Sequence, residues 1–152
     1  MRTLALALTL VLSLSVSVPA RAAVDETNAN RLNALGLFLG TGSGYDLGGS
    51  ATRLHGIIML TRMLGEEADA LSFDGPCPFS DVAAGKPSAY TGYAFAQGYT
   101  TGVSATTFHP GGALSFKHYV TFLLRALGYD DGAGDFTFAA SLDKAVEIGM
   151  MT

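Results

Sequence analysis

One stretch of this chain occurs twice. Thr52 to Gly65 reads TRLHGIIMLTRMLG, and Ser115 to Gly128 reads SFKHYVTFLLRALG. Aligned without gaps, 63 residues apart, the two share His55/His118, Leu60/Leu123, Arg62/Arg125, Leu64/Leu127 and Gly65/Gly128. Apolar residues also match at Ile57/Val120 and Met59/Phe122. A repeat of this kind constrains the fold strongly. Each copy is one supersecondary unit, and a single unit cannot bury its own apolar face, so copies must pack on each other.

Each copy has the pattern of a capped helix. Thr52 and Ser115 precede the apolar positions and carry hydroxyls that can accept the orphan N–H groups of a first turn. Gly65 and Gly128 are the stops, because glycine enters the left-handed C-terminal conformation without a Cβ penalty. In the first copy Ile57, Leu60 and Leu64 form the inward stripe. In the second, Phe116, Val120, Leu123 and Leu127 recur at helical spacing, which assigns Phe116 to the core. Upstream of each copy lies a second echo, GLFLGTGSGYDL from Gly36 and GYTTGVSATTFHP from Gly98. Each follows a shorter helical pattern, over residues 30–35 and 89–97. A unit is therefore helix, glycine-rich loop, capped helix. The segment Pro78 to Val82, PFSDV, introduces the second unit, with Ser80 or Asp81 placed to cap a turn. A third unit starts after the linker DDGAGD, residues 130–135, with Phe138, Leu142, Ala145 and Val146 at helical spacing. Its first helix is present and its second is not.

The first 22 residues read as a leader to be removed. Met1-Arg2 is basic, Leu4 to Val18 is apolar apart from small hydroxyl residues, and Ala20-Arg21-Ala22 has the A-x-A cleavage pattern. The apolar run of about 15 residues is short of the roughly 20 that a spanning helix needs. Of the 9 basic residues, Arg2 and Arg21 fall in this leader, which leaves 7 against 13 acidic ones and a net charge of −6 for the mature chain. That balance argues against a nucleic-acid partner. About 130 residues suffice for one modest core. The expected organisation is a signal peptide over 1–22, repeat 1 over 23–71, repeat 2 over 72–130, and the start of repeat 3 over 131–152.

Little in the chain points to catalysis. Cys77 is the single cysteine, lies between Pro76 and Pro78, and has no evident histidine partner. It can form no internal disulfide. His55 and His118 sit on different units and do not make a metal pair. The loop glycines lack the GxxxxGK[ST] order of a phosphate loop and serve tight turns or close backbone approach. DDGAGD lacks the alternating ligands and closing Glu of a calcium loop. Asp81 and Asp130 can be drawn as a glycosidase pair, but both lie at element boundaries, where aspartate more commonly caps. No cofactor is implied.

The order FSDV (Phe79 to Val82), a helix ending at Gly98, GVS (Gly102 to Ser104), Phe108-His109-Pro110 and a helix ending in Leu123 to Gly128 resembles the S-layer homology (SLH) domain family across the whole mature chain. The resemblance implies an all-α fold, with helix-loop-helix repeats packed about a pseudo-threefold axis and the third repeat truncated. It implies a non-catalytic module that holds an exported protein at the cell wall by binding a secondary cell wall polymer, often one bearing an acidic pyruvylated sugar. The ligand would lie in grooves between adjacent units.

The family's TRAE signature begins the second helix of a unit. Thr52 and Arg53 match it, and Arg53 is assigned to the groove, where a guanidinium can take a carboxylate through two parallel bonds. His55 replaces the Glu, so the reciprocal capping box is expected to be lost. Ser115, Phe116 and Lys117 stand at the second motif, with Lys117 about 100° away from the arginine position. Gly102 and Ser104 of the loop complete the expected ligand-binding set of Thr52, Arg53, Gly102, Ser104, Ser115 and Lys117. Arg62 and Arg125 are assigned to structure, in the last turn of their helices. Two other roles stay open: a degenerate structural or protein-interaction module, and the anchoring end of a truncated exported hydrolase. With half a unit missing, apolar residues such as Ile57 or Leu123 are expected to lie uncovered, which leads either to marginal stability or to self-association.

Overall fold

The computed structural model describes residues 26–40 and 42–152. The expected signal peptide lies outside the described residues. Among these, the chain is all-helical: α1 Glu26–Ala34, α2 Arg53–Met63, α3 Glu67–Leu71, α4 Lys86–Ala96, α5 Phe116–Ala126 and α6 Ser141–Glu147. Among the described residues the β pairings are two isolated bridges, Thr52 with Ala113 and Ser104 with Thr107. No helix here is long and apolar enough to cross a membrane.

Local chemistry starts and stops the helices as the repeat implies. Thr52 Oγ1 accepts from His55 N–H at 3.3 Å, and Ser115 Oγ accepts from His118 N–H at 3.1 Å. Five helices end in the same two-bond glycine motif. For α2, Gly65 N–H donates to Arg62 O at 3.0 Å and Glu66 N–H to Thr61 O at 2.8 Å. Gly36, Gly98, Gly128 and Gly149 repeat this geometry, each with φ between 71° and 91°. The glycine-rich loops also match. Asp46 and His109 are the two described non-glycine residues with positive φ, and each accepts from the N–H three residues on, Gly49 at 2.9 Å and Gly112 at 3.0 Å.

Three expectations are corrected here. The capping box of α2 is present: the Thr52 backbone N–H donates to Nδ1 of His55 at 3.3 Å. A neutral imidazole nitrogen is an acceptor at about the reach of a Glu carboxylate, so the substitution preserves the box. Phe116 is not core; it is 63% exposed, as is Leu127 at 60%. Ile57 is not left uncovered; it is fully buried with Leu60, Phe108 and Phe122. The reason for the last two is that α5 is wedged between two cores. Phe122 joins the larger one, made with α2 and α4, while Val120 and Leu124 join Phe136 and Ala145 of the third unit. A helix used on two sides does not bury the single stripe that its periodicity marks.

α2 is the hub, packed on α3, α4 and α5, and α5 in turn packs on α6. The first helix of each later unit thus lies on the second helix of the unit before it, α4 on α2 and α6 on α5. The short α3, absent from the sequence reading, places Glu66 and Glu67 against Tyr99 and Tyr90, whose hydroxyls donate to them.

Candidate functional site

The entry to α2 is stitched to the loop of the second repeat. Arg53 N–H donates to Gly112 O at 2.9 Å, Leu54 N–H to Pro110 O at 3.1 Å, and Leu114 N–H to Ala51 O at 2.8 Å. Arg53 lies in this seam and is 4% exposed. Its Nε donates to the Phe108 carbonyl at 2.8 Å, and its guanidinium carbon stands 4.8 Å from the Phe108 ring centre and 5.4 Å from that of Phe122. Among the described residues, the hydrogen bond this side chain makes is the one from Nε, and the two Nη groups have no partner. No fully buried side-chain nitrogen or oxygen is left unpaired among the described residues, so these Nη groups reach the surface of the seam.

Arg53 shares the seam's field with one cation, Arg125, and one carboxylate, Asp81. Burial first, then the like charge of Arg125, lowers the proton affinity of Arg53, with Asp81 pulling the other way. An arginine remains charged under such pressure. Asp81 offers its carboxylate elsewhere: Oδ1 accepts from Phe108 N–H at 2.9 Å and Oδ2 from His109 N–H at 2.7 Å. Those two bonds, the Phe108 one foremost, hold its carboxyl below the usual range. So Asp81 caps a loop from the second unit rather than its own turn, and Ser80 helps by bonding Thr106 O through N–H and hydroxyl. What this arrangement offers chemically is a fixed cation with open donors, seated on aromatic faces, at the junction of two repeats.

The other expected ligands are placed differently. Thr52 is beside Arg53 and is occupied as the helix cap. Gly102 has φ of 77°, and a Cβ there would meet Phe79 Cε1 at 2.5 Å, Ser104 O at 2.6 Å and Thr107 O at 2.7 Å. Its glycine is required by the loop fold itself. Ser104 is exposed, with Oγ accepting from Thr106 N–H at 3.4 Å. Between Gly102 and Arg53 stand the rings of Phe79 and Phe108, whose centres are 5.5 Å apart. Ser115 and Lys117 lie at the entry to α5, in the next seam. There Lys117 Nζ donates to Ala139 O at 3.1 Å and stands 5.7 Å from the Phe138 ring.

Arg62 and Arg125 pair with carboxylates just beyond their helices, Arg62 Nε with Glu67 at 2.8 Å, and Arg125 with Asp131 through Nε at 2.8 Å and Nη2 at 2.7 Å. The linker aspartates are likewise in use: Asp130 Oδ1 accepts from Gly132 N–H at 2.7 Å and Asp135 Oδ2 from Asp130 N–H at 2.8 Å. Cys77 Sγ lies 3.3 Å from Thr91 Oγ1. Two surface clefts, of about 490 and 450 Å³, flank α4; Phe73, Cys77 and Lys86 line one, and Leu54, Ile58 and Tyr90 the other. Neither includes Arg53. Sequence reasoning missed His118 and Arg125 as neighbours of Arg53. Their signal is the spacing His118, Phe122, Arg125, one face of a helix.

Comparison with known protein families, curated proteins and solved structures finds no match to this chain.

Proposed function

We propose that the protein is a non-catalytic, exported module of SLH type that binds an acidic polymer of the cell wall through Arg53. The observation that supports it best is the pair of unpartnered Nη groups on an otherwise buried arginine at the junction between repeats. A carboxylate accepts two parallel bonds from such a fork, and the loss of water around it strengthens them. Phe108 and Phe122 hold the guanidinium plane, so little freedom is lost on binding. The glycan reading itself comes from the SLH resemblance, with Thr52-Arg53 intact. The test is association of the mature protein with purified cell walls. Binding that disappears when the non-peptidoglycan polymer is stripped supports the proposal; equal binding to stripped and unstripped walls rejects it.

A second reading also has an observation behind it. The Nε bond to Phe108 and the burial of Arg53 are what a purely architectural arginine would show. In that role the repeats serve structure or protein contacts, and the walls capture nothing.

A further inference from the structure

Helix α5 presents His118, Phe122 and Arg125 at i, i+4 and i+7, one face of the helix. The Arg53 guanidinium lies over the middle residue of that set, Phe122. His118 and Arg125 therefore flank, one turn to either side, the ring over which the Arg53 guanidinium lies. Arg125 is matched by Asp131. Asp81 faces Arg53 from its turn, beside His109, with both oxygens taken by backbone N–H groups. From the segment before α6, the neighbour of His118 is the uncharged Phe138 ring, at 5.1 Å. Lys117, next along α5, turns its Nζ to Ala139 O. Among the described residues the charge that acts on His118 is that of Arg53: burial first, then this charge, holds the imidazole below the usual histidine range.

His118 differs chemically from His55, its repeat counterpart. Nδ1 of His55 accepts from a backbone N–H, which can only donate. Nδ1 of His118 lies 2.9 Å from Ser115 Oγ. A hydroxyl donates to a neutral imidazole and accepts from an imidazolium, and it keeps a further lone pair for the His118 N–H. Protonating His118 therefore breaks no hydrogen bond. What opposes it is burial and the charge of Arg53, and an anion resting on Arg53 removes the second.

We infer that ligand binding at Arg53 is coupled to proton uptake by His118: a carboxylate held by the Nη groups draws a proton from solvent onto the imidazole, so affinity for the acidic ligand rises as pH falls. The inference rests on the reading of Arg53 as the anion-binding group and names the regulation of that site. By linkage the coupling acts equally in both directions: the ligand raises the proton affinity of His118, and the imidazolium raises the affinity for the ligand. His118 acts here through the field at the site and is a positioning and titrating residue, not a direct ligand.

The probe is a hexosamine carrying a pyruvate ketal, whose carboxyl stays ionised throughout, set against its uncharged methyl ester. Titration calorimetry on the mature chain at about pH 8 and about pH 5.5 brackets the ordinary histidine range. Repeating it in two buffers of different ionisation heat counts the protons taken up. The expected result is binding of the acid about tenfold tighter at the lower pH, net proton uptake on binding, and neither effect for the ester. His118→Gln keeps binding and loses the pH dependence. Equal binding of acid and ester, or binding of neither, rejects the anion site and the inference with it. Acid-selective binding with no pH dependence and no proton uptake, or a pH dependence that survives in His118→Gln, rejects the coupling alone. The two-buffer measurement uses the unmodified protein and decides the matter even if the variant does not fold.

Discussion

Arg53 and Phe108 are 55 residues apart in the chain and meet twice: Nε–H donates to the Phe108 carbonyl at 2.8 Å, and the guanidinium carbon lies 4.8 Å from the centre of the Phe108 ring. This fastens the second helix of one repeat to the loop of the next. Replacing Arg53 by Met keeps much of the stem packing but leaves the carbonyl without its donor and removes the cation from the ring. The expected loss is about 2–3 kcal/mol of unfolding free energy, read from urea titrations with an unchanged slope.

For ligand binding, Arg53→Ala is expected to weaken wall association about ten- to a hundredfold, the value of a charge-assisted bidentate contact. Lys117→Ala, which loses a bond to Ala139 O in the neighbouring seam, is expected to cost less than about threefold. Sedimentation with purified walls, well below the melting temperature of each variant, makes the comparison. Comparable losses would move the site from Arg53 to the α5 entry.

Gly102→Ala is expected to destabilise the chain by more than about 2 kcal/mol, because strain at positive φ adds to overlap with backbone atoms that cannot rotate away. Gly111 has open space around its Cβ position and φ outside the left-handed region. Gly111→Ala is therefore expected to melt within a few degrees of the unmodified protein, and thermal denaturation of the pair checks the contrast.

Acid is expected to loosen the 108–109 loop through Asp81. Its carboxyl is held low in the folded chain by the N–H of Phe108 and then of His109. The stabilisation is present above the unfolded value near 3.8 and is lost as pH falls through the lower folded value. Asp81→Asn removes this part of the pH dependence, so melting temperatures of the two proteins should converge below about pH 3.

The alkaline limit has the opposite sign. Burial first, and hydrogen bonds to Glu67 and Glu66 next, push Tyr90 and Tyr99 up to about 12. Their neutral forms stabilise the fold fully below the unfolded value of 10, and this is lost as pH rises towards 12. Tyr93 and Tyr119 are also raised, chiefly by burial. Absorbance near 295 nm should therefore show four of the 6 tyrosines ionising late, with unfolding accompanying the late phase. Ionisation of all six together near pH 10 would contradict these environments.

The helix boundaries of the repeat were legible because they are local. Thr52 and Ser115 reach N–H groups three residues on, and Gly65 and Gly128 need only their own φ, so no distant residue has to be known. The structural assignment of Arg62 and Arg125 came from their place in the last turn of a helix, and the all-helical class came with the SLH resemblance. The choice of Arg53 as the candidate group rested on its chemistry, which suits an acidic ligand wherever the residue lies. Its burial was not legible, because the Phe108–Gly112 backbone that covers it comes from the next repeat, and a sequence pattern carries no information on which loop folds over which helix entry. The direction of α5 was misread for a related reason. Periodicity marks one stripe, whereas packing between two cores buries Phe122 on one side and Leu124 on the other and leaves Phe116 outside. The influence of Arg53 on His118 is also tertiary: it acts only because α2 and α5 pack together, and the free energy of that packing belongs to neither segment alone.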